Sequence, residues 1–380
     1  MGDNGLIEQA KKTKNIAEGS IEDEKEKLNN LSQEYANLMT EDEEIEKPKI
    51  VADYKESGEV FDNKTTIEDE EGNKIEVPAG FKIASDSGNT VQQGVVIEDV
   101  NASTDTAVQG SQFVWIPVGV FIKDGGEPSN EILLGRYTFS TSTPGTPTLE
   151  QAAYTDDNPE NYKNSKVISS YYDEYSGAHR DGAVSGLNAT ANDLGAWIDS
   201  VKENGGYYIG RYEASYASGS SVENYKAATK VSEKYSELYM SYSQGTLWNF
   251  ITQLDASKVA INTYEDSSVV KSDLMNSYAW DTAIVYIQEC GNTNYANQKG
   301  TDKNTKLINT GTGQDEVCKI NDIASNIAEC TTEYSSNSGF YGPCTSRGGV
   351  YSSSSYCTSS RNGIPVTSTS NVGFRLSLYM

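Results

Sequence analysis

The 380-residue chain predicts a mixed α+β fold with long loops, on three observations. Its first 47 residues carry a charged pattern of helical period. From about residue 48 to 121, short apolar runs alternate with turn residues, which is strand texture. Beyond that, three amphipathic helix candidates stand among stretches rich in Ser, Gly, Asn and Tyr.

The helix comes first. Leu28, Leu31, Tyr35 and Leu38 step by three and four and share one face, with Glu and Lys filling the others. Leu6, Ile7, Ala10 and Ala17 extend a narrower stripe, which Gly19 weakens. Pro48 ends the pattern. The competing reading is a solvated charged helix or coiled-coil spacer. Residues 48–112 read as a β-rich connector. Within it, "IEDEEGNKIEVPAGFKI" predicts a hairpin with Glu71-Gly72-Asn73 as its turn and Ile75, Val77 and Phe81 on strands. "GVVIEDV" at 94–100 is a short strand. "FVWIPVGVF" at 113–121 is the most apolar strand candidate, interrupted by Pro117.

Residues 140–190 carry Pro, Gly, Ser, Asp and Asn throughout and predict long loops. "DLGAWIDSVKENGG" predicts a helix with Trp197, Ile198 and Val201 on its apolar face and a Gly just past its end. "YYIGRYEASY" at 207–216 reads as a strand. "TLWNFITQLDAS" and "LMNSYAWDTAIVYIQEC" are two more helices. "NDIASNIAECTTEYSS", "SRGGVYSS" and "VGFRLSLYM" read as short strands.

Composition narrows the function. A formal net charge of −25 repels phosphate backbones and anionic lipids, so nucleic acid is not an expected partner. The single histidine, His179, excludes a multi-His metal site and reads as an exposed loop residue. The five cysteines at 290, 318, 330, 344 and 357 contain no CxxC spacing. Their odd number leaves at least one thiol unpaired within a monomer, and disulfide connectivity stays open. No apolar stretch approaches the length needed to span a bilayer, and no signal-peptide pattern opens the chain. The 25 Tyr against 8 Phe suit either a β-rich fold or a binding surface.

Five segments, in order, resemble the formylglycine-generating-enzyme family. "GGYYIGRYEAS" at 205–215 looks like the strand opening that domain, and "MNSYAWDTAIVYI" at 275–287 is similar to its central Trp-containing helix. "NDIASNIAECTTEY" at 321–334 resembles its "aGNvwEWt" segment. Arg347-Gly348-Gly349 and Gly373-Phe374-Arg375 match its closing anchors. The resemblance implies an elaborated C-type-lectin-like fold over 113–380. The family's enzymes also need two cysteines after the RGG strand as copper-binding thiolates. Here "VYSSSSYC" offers Cys357 alone, with the first position falling among Ser352 to Ser355. A hydroxyl is a poorer soft-metal ligand and nucleophile than a thiolate. Ala328 and Cys330 stand where the family has tryptophans. The expectation is a scaffold without catalysis, and no cofactor beyond the structural calcium that the resemblance suggests. Acidic loops such as "YTDDNPENY" carry suitable oxygens but no EF-hand spacing.

The N-terminal "GDNGLIEQAKKTKN" is similar to the segment that follows the membrane helix of bacterial type IV pilin-like proteins. That resemblance implies an apolar half absent from this chain, with Met1 an added start, and anchorage at the cell surface. The tail resembles variable proteins of diversity-generating retroelements, in which residues between RGG-like and GFR-like anchors are rewritten at adenines. Residues 340–372 would be that variable region. Phe374 and Leu376 would pack inward, and Arg347 and Arg375 would bind buried carboxylates or carbonyls. The candidate contact residues are Tyr341, Tyr351, Ser353, Ser355, Tyr356, Thr358, Asn362, Ile364, Val366, Ser368 and Thr369. Ile364 and Val366 flank Pro365 and form either an exposed apolar anchor or packing under the loop. The expected ligand is a protein or glycan. The alternatives are an oxidase of the formylglycine-generating type and a pilin-like structural subunit without ligand, assembled into a pilus.

Overall fold

The computed structural model describes residues 3–38, 48–164, 172–173, 194–236, 242–335, 344–365, 367 and 371–380. His179, Tyr341, Val366, Ser368 and Thr369 lie outside these residues, as does most of the loop region from 165 to 193. The chain forms two compact units, Met1–Pro48 and Lys49–Met380.

The first unit is the helix α1, Asp3–Leu38. At about 1.5 Å per residue it is roughly 54 Å long. Lys14 and Glu18 form an i,i+4 ion pair on its surface. Ile21, Leu28 and Leu31 are exposed. No described helix is long and apolar enough to cross a membrane.

In the second unit, a six-stranded antiparallel sheet carries the core. Its order is Lys271–Leu274, Leu376–Tyr379, Gly206–Gly210, Gln112–Pro117, Val96–Asp99, Phe81–Ile83. The expected line between a connector ending at 112 and a domain beginning at 113 is not visible here. Val96–Asp99 pairs directly with Gln112–Pro117, and one sheet runs across that line. Phe113, Trp115, Tyr208 and Ile209 are all buried, because both faces of the sheet are covered. The predicted hairpin forms: Thr65–Glu68 pairs with Lys74–Val77. The Asp69 carboxylate accepts from the backbone N–H groups of Glu71 and Asn73 and closes its turn.

After the short helix α2, Val51–Ser57, helix α3, Leu194–Asn204, buries Trp197, Ile198 and Val201 and stops at Gly205, whose φ of 70° few other residues adopt. Helix α5, Ser277–Glu289, starts at Asn276, whose side chain caps the Ala279 N–H. Its residues from Ser277 to Gln288 are buried, which makes it the central helix of the unit.

A second sheet holds the strands that bracket the terminal run. Its order is Arg361–Ile364, Cys344–Arg347, Ala328–Ser335, Val372–Phe374, with Tyr172–Asp173 adding to the far end of Ala328–Ser335. The Val372–Phe374 strand runs parallel to Ala328–Ser335, so the chain must cross back over the sheet end between 347 and 372.

Several expected elements shift. The 207–216 strand is two strands, Gly206–Gly210 and Ser215–Ser218, broken where Arg211 pairs with Asp86 and Glu213 accepts from the Ile327 N–H. The helix expected at 246–257 is α4, Gln253–Thr263. Thr246 and Leu247 form a strand instead, and Trp248 packs among Tyr216, Tyr225 and Tyr242. The loop region from 140 contains a hairpin arm, Pro147–Ala152, paired with Gly135–Phe139. The "SRGGVYSS" strand stops at Arg347, since Gly348 takes a φ of 85°.

Candidate functional site

Two buried arginines hold the ends of the terminal run. Arg347 donates to the Glu333 carboxylate at 2.8 Å and to the Asp281 carboxylate, and its Nε donates to the Ser360 carbonyl at 3.0 Å. Its guanidinium lies over the Trp280 ring. Arg375 makes a forked pair with Glu329, at 2.6 and 3.1 Å, and donates to the carbonyls of Gly210 and Asn321, each at 2.8 Å. Bidentate, charge-assisted bonds of this kind fix orientation as well as position. Phe374 and Leu376 are fully buried, as strand alternation predicts.

The glycines of both anchors are dictated by close approach. A Cβ on Gly349 would stand 2.1 Å from the Ala324 carbonyl oxygen, and one on Gly373 would stand 2.2 Å from that of Trp248. Neither backbone neighbour is a flexible side chain that can move aside.

A third arginine stands inside the run. Arg361 is the only charged residue between Val350 and Val372. Its Nε donates to Glu333 at 2.9 Å, it pairs with Asp281, and it donates to the Tyr137 carbonyl at 3.2 Å. Arg136 approaches Glu333 at 3.5 Å. Burial alone would raise the Glu333 pKa, but Arg347, Arg361 and Arg136 together hold it down to about 2. The Asp281 carboxylate also accepts from the Tyr137 N–H. These five side chains form one buried ionic knot beneath the run.

Around Arg375 the balance is reversed. Glu213, Asp315, Asp322 and Glu329 are all buried near this one cation. Burial, with neighbouring Asp315, pushes Asp322 up to about 6 against the pull of its hydrogen bonds from Gly311 and Thr310. Burial likewise pushes Glu213 well up, with Asp322 and Glu329 adding to it.

Above the knot the run turns outward. Ser352, Ser354, Ser355 and Tyr356 are exposed, and Tyr351 and Ser353 are half-buried. The Tyr351 N–H donates to the Asn326 carbonyl, and the Ser359 N–H donates to that of Ala296, so the loop's two ends are tied to the unit. Asn362 and Ile364 are half-buried on the edge strand of the second sheet, and Ile364 packs against the core. Thr358 corrects the sequence reading. It is wholly buried, its carbonyl accepts from the Trp280 indole N–H, and its hydroxyl donates to the Gln298 carbonyl. It therefore supports the loop from below and offers no contact surface. Conversely, Ser352 and Ser354 are exposed beside the residues singled out.

The Cys357 sulfur sits 3.5 Å from the Ser359 hydroxyl and 3.4 Å from that of Ser360. A thiol among hydroxyls is a poor match for copper(I), which favours sulfur pairs. Among the described residues, no group of three His, Cys, Asp or Glu side chains is placed to hold a metal ion. In the "YTDDNPENY" loop, Asp156 and Asp157 are exposed and Glu160 pairs with Lys163.

No family model matches the chain, and no curated protein matches it. Among solved structures it is similar to Treponema denticola variable protein 1, at 13% identity and a TM-score of 0.33, over 72% of this chain and 97% of that one. So loose an overlay leaves the site to be read from its own geometry.

Proposed function

We propose that this chain is a non-catalytic, cell-surface binding protein of lectin-like fold, whose ligand face is the exposed run from Tyr351 to Tyr356 together with Asn362 and Ile364 on the adjoining edge strand. One observation carries the reading: an uncharged, hydroxyl-rich loop stands exposed between ends locked by buried arginine–carboxylate pairs. Recognition residues commonly sit on loops held by a rigid frame. Ser adapts its hydrogen bonding, and Tyr brings area at low entropic cost. On a chain of net charge −25, an uncharged face suits a neutral surface of a protein or glycan. In this reading α1 continues a membrane helix and carries the domain away from the cell, and a retroelement rewrites the run.

The test is a displayed library with residues 352–356 randomised, panned against an unrelated purified protein and a printed glycan array. Most clones should stay folded, and binders should emerge. Widespread unfolding would remove the proposal, and copper-dependent oxidation of a cysteine peptide by the purified chain would restore the oxidase reading. For the retroelement, the neighbouring DNA should hold a reverse transcriptase gene and a near-copy of the 346–375 coding stretch differing chiefly at adenines. Their absence leaves a binding protein that is not diversified this way.

A further inference from the structure

Two of the five cysteines meet at a place unrelated to the ligand face. Cys290 is the C-cap of α5. Cys318 is the first residue of the tight turn joining Glu316–Val317 to Ile320–Asn321, two strands paired antiparallel. Twenty-seven residues separate them in sequence. In space, the Tyr286 hydroxyl, one helical turn before Cys290, docks on the 90–94 turn that presses against Cys318, and the two thiols are electrostatic neighbours of each other and of that hydroxyl. That hydroxyl is itself fixed, since it donates to the Val91 carbonyl at 2.6 Å. Both cysteines are part-exposed.

The backbone at Cys318 makes the residue type notable. Cys318 and Lys319 take φ of 47° and 62°, so this is a two-residue hairpin turn with both central residues left-handed. Such turns favour Asn, Asp and Gly, and a cysteine there is strained. Its position is also pinned from outside. A Cβ on Gly94 would stand 2.1 Å from the Cys318 carbonyl oxygen, so the 94 turn is pressed against it. Local preference does not favour a cysteine at this point.

We propose that Cys290 and Cys318 are a disulfide-forming pair that ties the end of the central helix to the 316–321 hairpin. The oxidant is a small-molecule or protein disulfide. The Cys318 thiolate attacks one of its sulfurs, forming a mixed disulfide and releasing one thiolate. The Cys290 thiolate then attacks the Cys318 sulfur, forming the internal bond and releasing the second. Two electrons pass from the two protein sulfurs to the oxidant, and the two thiol protons end on its released thiols. Burial, with Cys318 beside it, raises the Cys290 thiol well above its ordinary pKa, which makes it the poorer first nucleophile.

The experiment is a peptide map of the full chain after equilibration in a glutathione redox buffer, with free thiols blocked under denaturing conditions before digestion. The expected result is a cross-linked peptide joining Cys290 to Cys318, with Cys357 alkylated. Full alkylation of both, or Cys290 recovered joined to any other cysteine, overturns the proposal. Reduction of the oxidised protein should lower the Tm by about 5 °C, as expected for closing a loop of this length. The Cys318→Ser variant should show no such drop, while Cys357→Ser should keep it. An equal drop in Cys318→Ser also overturns the assignment. If Cys318→Ser fails to fold, the map of the native chain still decides.

Discussion

At the level of single residues, the run divides into side chains that hold it and side chains that face out. Arg361→Ala leaves Asp281 and Glu333 short of a buried cation, and breaking such a pair from one side costs about 3–5 kcal/mol. Tyr356→Ala, on an exposed side chain, should change stability by no more than about 0.5 kcal/mol. Urea denaturation of the two variants reads this contrast directly, and a similar loss in both would mean that the exposed run is structural. Gly349→Ala should cost upwards of about 2 kcal/mol in the same assay, because its Cβ meets the Ala324 backbone. The anchors were legible in sequence, since Arg347 and Arg375 bind carboxylates and carbonyls as expected. Their partners were not: Asp281 lies mid-helix and Glu333 on the strand paired with that of Arg347, and sequence spacing carries no sign of either meeting. Arg361 did leave a sign, as the lone charge in an uncharged stretch. Thr358 left none, because a buried threonine in a Ser/Thr-rich loop looks like its exposed neighbours.

At the level of elements, amphipathic period and caps located the helices, and the errors fall where the core draws residues out of their local pattern. The expected helix at 246–257 absorbed Trp248 because its apolar spacing looked helical. The true start is marked by Thr252, whose hydroxyl accepts from the Asp255 N–H at 3.0 Å. Thr252→Ala should therefore cost α4 about 1 kcal/mol, measurable as a lower Tm. An unchanged Tm would show that packing alone sets that end. The hairpin arm Pro147–Ala152 was read as loop because its Thr, Glu and Gln alternate with few apolar residues, and Gln151 is its one buried residue. No composition change marks where the sheet continues from Val96–Asp99 into Gln112–Pro117.

For the molecule as a whole, the two ionic centres respond to acid in opposite senses. Glu333, held down to about 2, contributes stability above the ordinary carboxylate range that is lost as pH falls from about 4 toward 2. Asp322, raised to about 6, has the reverse sign: its protonated form suits the fold, and stability is lost as pH rises through 6. Tm should therefore peak near pH 4–5 and decline on both sides. Asp322→Asn should flatten the neutral limb alone, and Glu333→Gln the acidic limb. A Tm that rises steadily from pH 4 to 8 contradicts this. The general class, a mixed fold of sheets with few helices, was readable from alternation and turn residues. The joining of 81–99 to the sheet that also holds 376–379 was not, since pairings over such separations leave no local trace. Arg361 pins the run between Arg347 and Arg375 near its middle. A chain pinned at its midpoint is two short spans instead of one long one, and the freedom of a span grows with the logarithm of its length. Much of the disorder that a capturing surface would surrender on contact has thus been given up at folding, and each span can be altered without loosening the other.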